Sequence, residues 1–152
     1  MQAGDSTIRV LHPPPPTWER RRVRNDDSIV LAIRVGDVAV VLPGDITQAV
    51  EPNVASAFES APIAIVKAPH HGSADSSSQR FVDAMHPSAV VFSAGQRNPF
   101  GHPAPAIVQR YRAAGATIFS TPEDGAVVVD TNGREAILWT WGSRRREMIG
   151  AR

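Results

Sequence analysis

The sequence predicts an α/β layered fold, a mixed β-sheet with flanking helices, and three observations carry that expectation. Short, almost wholly apolar runs at 38–42, 63–67 and 89–93 read as strands buried on both faces. Segments of helical pattern at 47–60, 79–85 and 106–114 alternate with them, as in layered α/β domains. Turn dipeptides, Gly36-Asp37, Asp124-Gly125 and Asn132-Gly133, punctuate the remaining strands.

Taken in order, 8–11 is a short strand stopped by His12 and four prolines. Proline cannot donate to a sheet ladder, so 13–27, rich in Pro and Arg, is a loop. The strand 28–35 turns at Gly36-Asp37 into the strand 38–42, which Pro43-Gly44-Asp45 ends abruptly. A helix within 47–60, weakened by Pro52, leads to the strand 63–67 and then to Pro69-His70-His71-Gly72-Ser73. Asp75 and Ser76 to Ser78 read as a solvated loop and helix cap before the helix 79–85. The strand 89–93, the loop 95–105 and a helix over 106–114 that stops at Gly115 follow, and strands at 117–120, 126–130 and 135–141 close the pattern. The division is one domain over 1–142 and a basic, frayed tail over 143–152.

Composition excludes several classes. The chain has 152 residues, enough for one compact domain, and a formal charge of +1, which by itself does not call for nucleic acid. Arginines nevertheless cluster in two runs, within 19–24 and at Arg144-Arg145-Arg146, which read as solvated segments or as holders of phosphate. There is no cysteine, so disulfides and thiolate zinc sites are excluded, and any metal must be held by histidine and carboxylate. No apolar run approaches the ~18 residues of a membrane span, and no secretory leader pattern is present, so the chain as written reads as soluble.

Ligands of α/β sheets bind in loops at the carboxyl ends of buried strands. Three such loops carry unusual residues: Asp45 after the first apolar run, Lys67, His70 and His71 around the end of the second, and Asn98 and His102 after the third. A carboxylate and imidazoles delivered to one rim offer the oxygen and nitrogen donors that zinc or manganese takes. Asp45 can bridge two cations, whose bound water would attack a phosphoryl or carbonyl centre. Lys67 and the second histidine can neutralise developing charge. Each residue alone also fits a plainer role: Asp45 in a turn, His102 capping the next helix, His12 and His86 as surface or turn residues.

The ordered set is more specific than its parts. Asn25-Asp26-Asp27-Ser28, Leu42-Pro43-Gly44-Asp45-Ile46, Lys67-Ala68-Pro69-His70-His71-Gly72-Ser73, Ser76-Ser77-Ser78, Ser93 to Pro103 with Asn98-Pro99-Phe100-Gly101-His102, and Thr121-Pro122-Glu123-Asp124-Gly125 occur in sequence over roughly residues 7–130. This arrangement resembles the metallo-β-lactamase-fold domain at the C-terminus of ComEC-type competence proteins. The resemblance implies the C-terminal half of a four-layer αββα sandwich and a metal-dependent hydrolase, a phosphodiesterase or nuclease linked to DNA uptake, with two zinc or manganese ions in the complete domain. It implies Asp45 and His71 as metal ligands, Lys67, His70 and His102 as catalytic groups on the phosphate, and Ser73 and Asn98 as weaker substrate contacts.

One departure stands out. Members of the fold carry an early His-x-His-x-Asp-His motif that supplies most metal ligands, and it is absent here. The resemblance therefore implies as partners a DNA or other phosphodiester substrate, the missing N-terminal half of the domain and, in a full competence protein, its membrane channel. A sheet face without its cover would make the isolated chain poorly soluble or oligomeric. Two alternatives stay open: a catalytically inactive remnant serving as a binding or structural module, and a phosphoesterase of the same fold acting on small substrates.

Overall fold

The computed structural model describes residues 2–3, 6–14 and 24–151. The first arginine run, apart from Arg24, and the prolines from Pro15 on lie outside the described residues.

The strands β1 (Gln2–Ala3), β2 (Ser6–His12), β3 (Val30–Val35), β4 (Val38–Leu42), β5 (Ile63–Lys67), β6 (Ala89–Phe92) and β7 (Thr117–Ser120) form one mixed sheet in sequence order. Six of them carry the sheet, and the two-residue β1 only extends its edge. Pairing is antiparallel from β1 to β4 and parallel from β4 to β7. The parallel half is where the apolar runs were uninterrupted, since those strands are covered on both faces.

Helices α1 (Glu51–Ala57), α2 (Gln79–Met85) and α3 (Pro105–Ala113) provide the parallel crossovers. They cover one face of the sheet. Val30, Val41 and Val66 pack there with Val54, Phe81 and Met85, and Val90 and Phe92 pack with Val82, Ile107 and Tyr111. Pro52 does not disrupt α1, because it stands in the first turn, where its missing N–H has no intrahelical acceptor to lose. Ser78 caps α2 by accepting from the Phe81 N–H at 3.2 Å.

After the short helix α4 (Thr121–Asp124), strands β8 (Val127–Thr131), β9 (Ala136–Thr140) and β10 (Arg146–Ile149) make a separate antiparallel sheet in the order β10-β9-β8. It lies against the second face of the large sheet, with Ala136, Leu138 and Ile149 on Val38, Ile63, Ile65, Ala89 and Phe119. The two hairpin tips lock this packing. The Asp37 N–H donates to the Gly133 carbonyl at 2.7 Å, and a Cβ on Gly36 would sit 2.5 Å from that oxygen. Only glycine permits that approach together with a φ of 55°.

Three expectations need correction. The basic tail is not simply frayed, because Arg146–Ile149 pairs with β9 and buries Ile149. The serine loop is not solvated: Ser76 and Ser77 are fully buried, and the Ser76 hydroxyl donates to the Pro69 and Ser73 carbonyls. His12 is not a surface residue. It ends β2 and donates from Nε2 to the Asp26 carbonyl at 2.8 Å.

Candidate functional site

The parallel strands β4, β5 and β6 end at one edge of the sheet, and the three loops singled out above leave from it. The first is pinned from the turn at Asn25–Asp27: the Asp45 N–H donates to the Ser28 hydroxyl at 3.1 Å and the Thr47 N–H to Asp26 Oδ1 at 2.8 Å. The second is tied to it by the His70 N–H, which donates to the Gly44 carbonyl at 3.0 Å.

That second loop is conformationally costly. His70 and His71 both take left-handed backbone, with φ of 46° and 57°, and Gly72 follows at 83°. For a residue with a Cβ this costs roughly 1–2 kcal/mol. Such strain persists only where the surroundings over-determine it, and it clusters at functional sites. Here the Ser73 N–H closes the turn on the His70 carbonyl at 2.9 Å, and the Gly72 carbonyl accepts from Ala104 at 2.9 Å. A Cβ on Gly72 would strike Phe92 at 2.7 Å and Pro103 at 2.8 Å, so the turn depends on glycine.

The turn brings the His71 ring to Asp45, with Nε2 3.5 Å from Oδ1 and both side chains about half exposed. The other ring nitrogen is committed: Nδ1 lies 2.6 Å from the Ser93 carbonyl, an atom that can only accept, so Nδ1 carries the proton. In a neutral ring Nε2 then keeps the lone pair, and it is this nitrogen that faces the carboxylate. A backbone carbonyl holding one nitrogen while the other faces out is how metal-binding imidazoles are oriented. A separation of 3.5 Å is also close to the edge of a tetrahedron with metal–ligand bonds of about 2.0–2.2 Å. Chemically and geometrically this pair fits two ligands of one cation. Among the described residues, however, no group of three or more histidine and carboxylate side chains converges to complete a site.

His70 is placed differently. Its Nε2 faces the Asn25 amide at 3.4 Å and its Nδ1 faces Asp75 Oδ1 at 3.3 Å, so neither nitrogen is turned to Asp45. The Asp75 carboxyl is held below the usual range, first by the Ser73 hydroxyl and more weakly by His70. Ser73 itself is buried within the loop. The Lys67 ammonium is half-buried and donates to the Ala68 carbonyl at 3.1 Å, with the Gly44 carbonyl 3.5 Å away. Burial pulls its pKa down from the ordinary lysine value, against the opposing pull of Asp45.

On the third loop Asn98 is a clasp. Its amide nitrogen donates to the carbonyls of Gly95 and His102, at 2.9 and 2.7 Å, and its oxygen accepts the His102 N–H at 2.9 Å. The His102 ring lies edge-on to His70 at 5.7 Å and stacks with Phe100 at 5.8 Å. Burial, followed by the imidazoles of His70 and then His71, lowers the His102 pKa. A pocket of about 340 Å³ opens between His71, Asn98, Phe100 and His102.

The three loops named from the sequence do leave one edge of the sheet, but sequence reasoning assigned no role to the residues that position them. Ser28, Asp26 and the Ser93 carbonyl do so directly, and Thr121 fixes the loop beyond Ser93 by exchanging hydrogen bonds with Ala94 at 3.0 and 2.9 Å. Ser28, Asp26 and Thr121 stood within the ordered motifs. The carbonyl left no sequence signal, because every residue has one.

No protein-family model matches the chain. It is 33% identical over 111 residues to Competence protein ComA of Neisseria gonorrhoeae, and 27% identical over 127 residues to ComE operon protein 3 of Bacillus subtilis (strain 168). This chain is distantly similar to competence proteins. The matches cover 72% and 84% of the chain respectively. The uncharacterized protein YcaI of Escherichia coli (strain K12) is 25% identical over 126 residues, 82% of the chain. In each case the chain spans only 16% of the relative's length, so it corresponds to one segment of much longer proteins. No helix among the described residues is long and apolar enough to cross a membrane.

Proposed function

We propose that the chain is the C-terminal half of a metallo-β-lactamase-type hydrolase domain, and that it contributes Asp45 and His71 to a two-metal, phosphodiester-cleaving site serving DNA uptake. One observation carries the reading: His71 Nε2 faces the Asp45 carboxylate at 3.5 Å while the Ser93 carbonyl holds Nδ1. The similarity to competence proteins supports the DNA-uptake part.

Asp45 and His71 would hold a zinc or manganese ion, which when bound supplies a water acidified toward neutrality. The remaining ligands come from outside the described residues. Lys67 and His102 flank the pair and serve the phosphate, and His70 would join them only by giving up its contacts to Asn25 and Asp75. Lys67 provides positive charge beside Asp45, poorly solvated and therefore effective on an anionic oxygen. His102, kept toward its neutral form, offers a ring nitrogen at the mouth of the pocket it shares with His71. Asn98 and Ser73 act through the loops they hold.

The test is cleavage of a single-stranded oligonucleotide with manganese or zinc, by the chain alone and together with a half-domain carrying the His-x-His-x-Asp-His motif. Cleavage is expected only from the combination, and Asp45→Ala and His71→Ala should each reduce it by roughly 10²-fold or more. Full activity in both variants would remove the pair from the chemistry.

A further inference from the structure

The turn from β9 to β10 and the strand ends beside it gather the second arginine run and two tryptophans, none of them on the loops that carry Asp45 and His71. Arg146 registers opposite Trp139, so both side chains leave the same face of the small sheet. That is the face opposite Leu138, which points into the core. Trp141 is 74% exposed, and its indole lies 6.1 Å from that of Trp139 at an interplanar angle of 44°. Trp139 is braced, because its Nε1–H donates to Asp130 Oδ2 at 2.8 Å. The two rings, Arg144 and Arg146 border an open cavity of about 600 Å³.

The three arginines are not equivalent. Arg145 is spent on structure: its guanidinium stacks 4.3 Å over Phe119, donates to the Ile118 carbonyl at 2.7 Å and pairs with Glu147. Arg144 and Arg146 form no ion pair among the described residues. Asp130 is the one carboxylate bordering the cavity, and the Trp139 indole engages it.

We propose that this face binds single-stranded nucleic acid, with a base stacked on Trp141 beside the braced Trp139 and the flanking phosphates on Arg144 and Arg146. An open indole next to unpaired guanidiniums offers what a single strand displays at every step, a flat apolar base joined to an anion. An acidic peptide would use the arginines and leave the rings bare, and a duplex hides its base faces in the stack. The surface shares no residue with the Asp45–His71 pair, so it stands whether or not that pair binds metal.

The experiment measures fluorescence anisotropy of a labelled oligo-dT with the full 152-residue chain in EDTA, which separates binding from any metal chemistry. Trp141→Ala should weaken binding about tenfold and Trp141→Phe should restore most of it, since stacking needs only an aromatic ring. An abasic strand of equal length should bind the wild type as weakly as oligo-dT binds Trp141→Ala. The double variant Arg144→Gln/Arg146→Gln should flatten the slope of log affinity against log salt by about one to one and a half. Because both arginines and Trp141 project from the surface, circular dichroism should report intact folds. The proposal is overturned if Trp141→Ala binds oligo-dT as the wild type does, or if the abasic strand binds equally well. It is also overturned if the chain binds no strand and instead self-associates through Trp141, which would make the face an interface between copies.

Discussion

Across β4 to β7, the face of the large sheet opposite the helices is closed by β8–β10, and Val38, Ile63, Ile65, Ala89 and Phe119 are all but inaccessible. Across β2 to β4, the same face of the same sheet is open. Val10, Leu31 and Leu42 register in one row there, and Val10 is 59% and Leu42 36% exposed. Lys67, Val91 and Phe119 continue that row into the closed half. Residue type does not distinguish the two halves, since both are rich in valine and isoleucine. What differs is whether the described residues supply the opposing layer. Lys67 stands at the boundary, so the candidate site sits where the chain's own cover ends.

The largest effect that would sharpen this contrast is in the closed half. Leu138→Ala, at a fully buried position between the sheets, should destabilise by about 2–5 kcal/mol in urea unfolding. Arg145→Ala should cost less, about 1–2 kcal/mol, because it removes a stacked guanidinium at the rim of the same interface, not a core side chain. The smallest effect belongs to the open half. Val10→Ser should change stability by no more than about 0.5 kcal/mol and should reduce self-association in size-exclusion chromatography. A cost for Val10→Ser comparable to that of Leu138→Ala would mean that the open face is covered after all.

How much of this was legible in the sequence depended on whether the signal was local. β4, β5, β7 and α2 have the boundaries read from the sequence, and in β4 and β5 burial on both faces writes itself into nearly every residue of the strand. β10 escaped because only Ile149 of its four residues is buried, so no pattern rose above its charge. Ser77 looked solvated because its partners are distant in sequence. The buried Glu51 carboxylate accepts the N–H groups of Ser77 and Ser78, and the Tyr111 hydroxyl donates to Ser77 at 3.2 Å. At the site, residue types marked the loops. Which histidine faces Asp45 is decided by two successive left-handed residues and a carbonyl just past the end of β6, and composition encodes neither.

The most direct measurement is long-range proton–nitrogen NMR of the histidine rings, with and without zinc. At a pH where the rings are neutral, His71 should carry its proton on Nδ1 alone, and zinc should shift its Nε2 resonance well beyond that of the exposed His86 at the end of α2. A His71 ring protonated at Nε2, or one perturbed by zinc no more than His86, would contradict the pairing with Asp45 on which the functional reading rests.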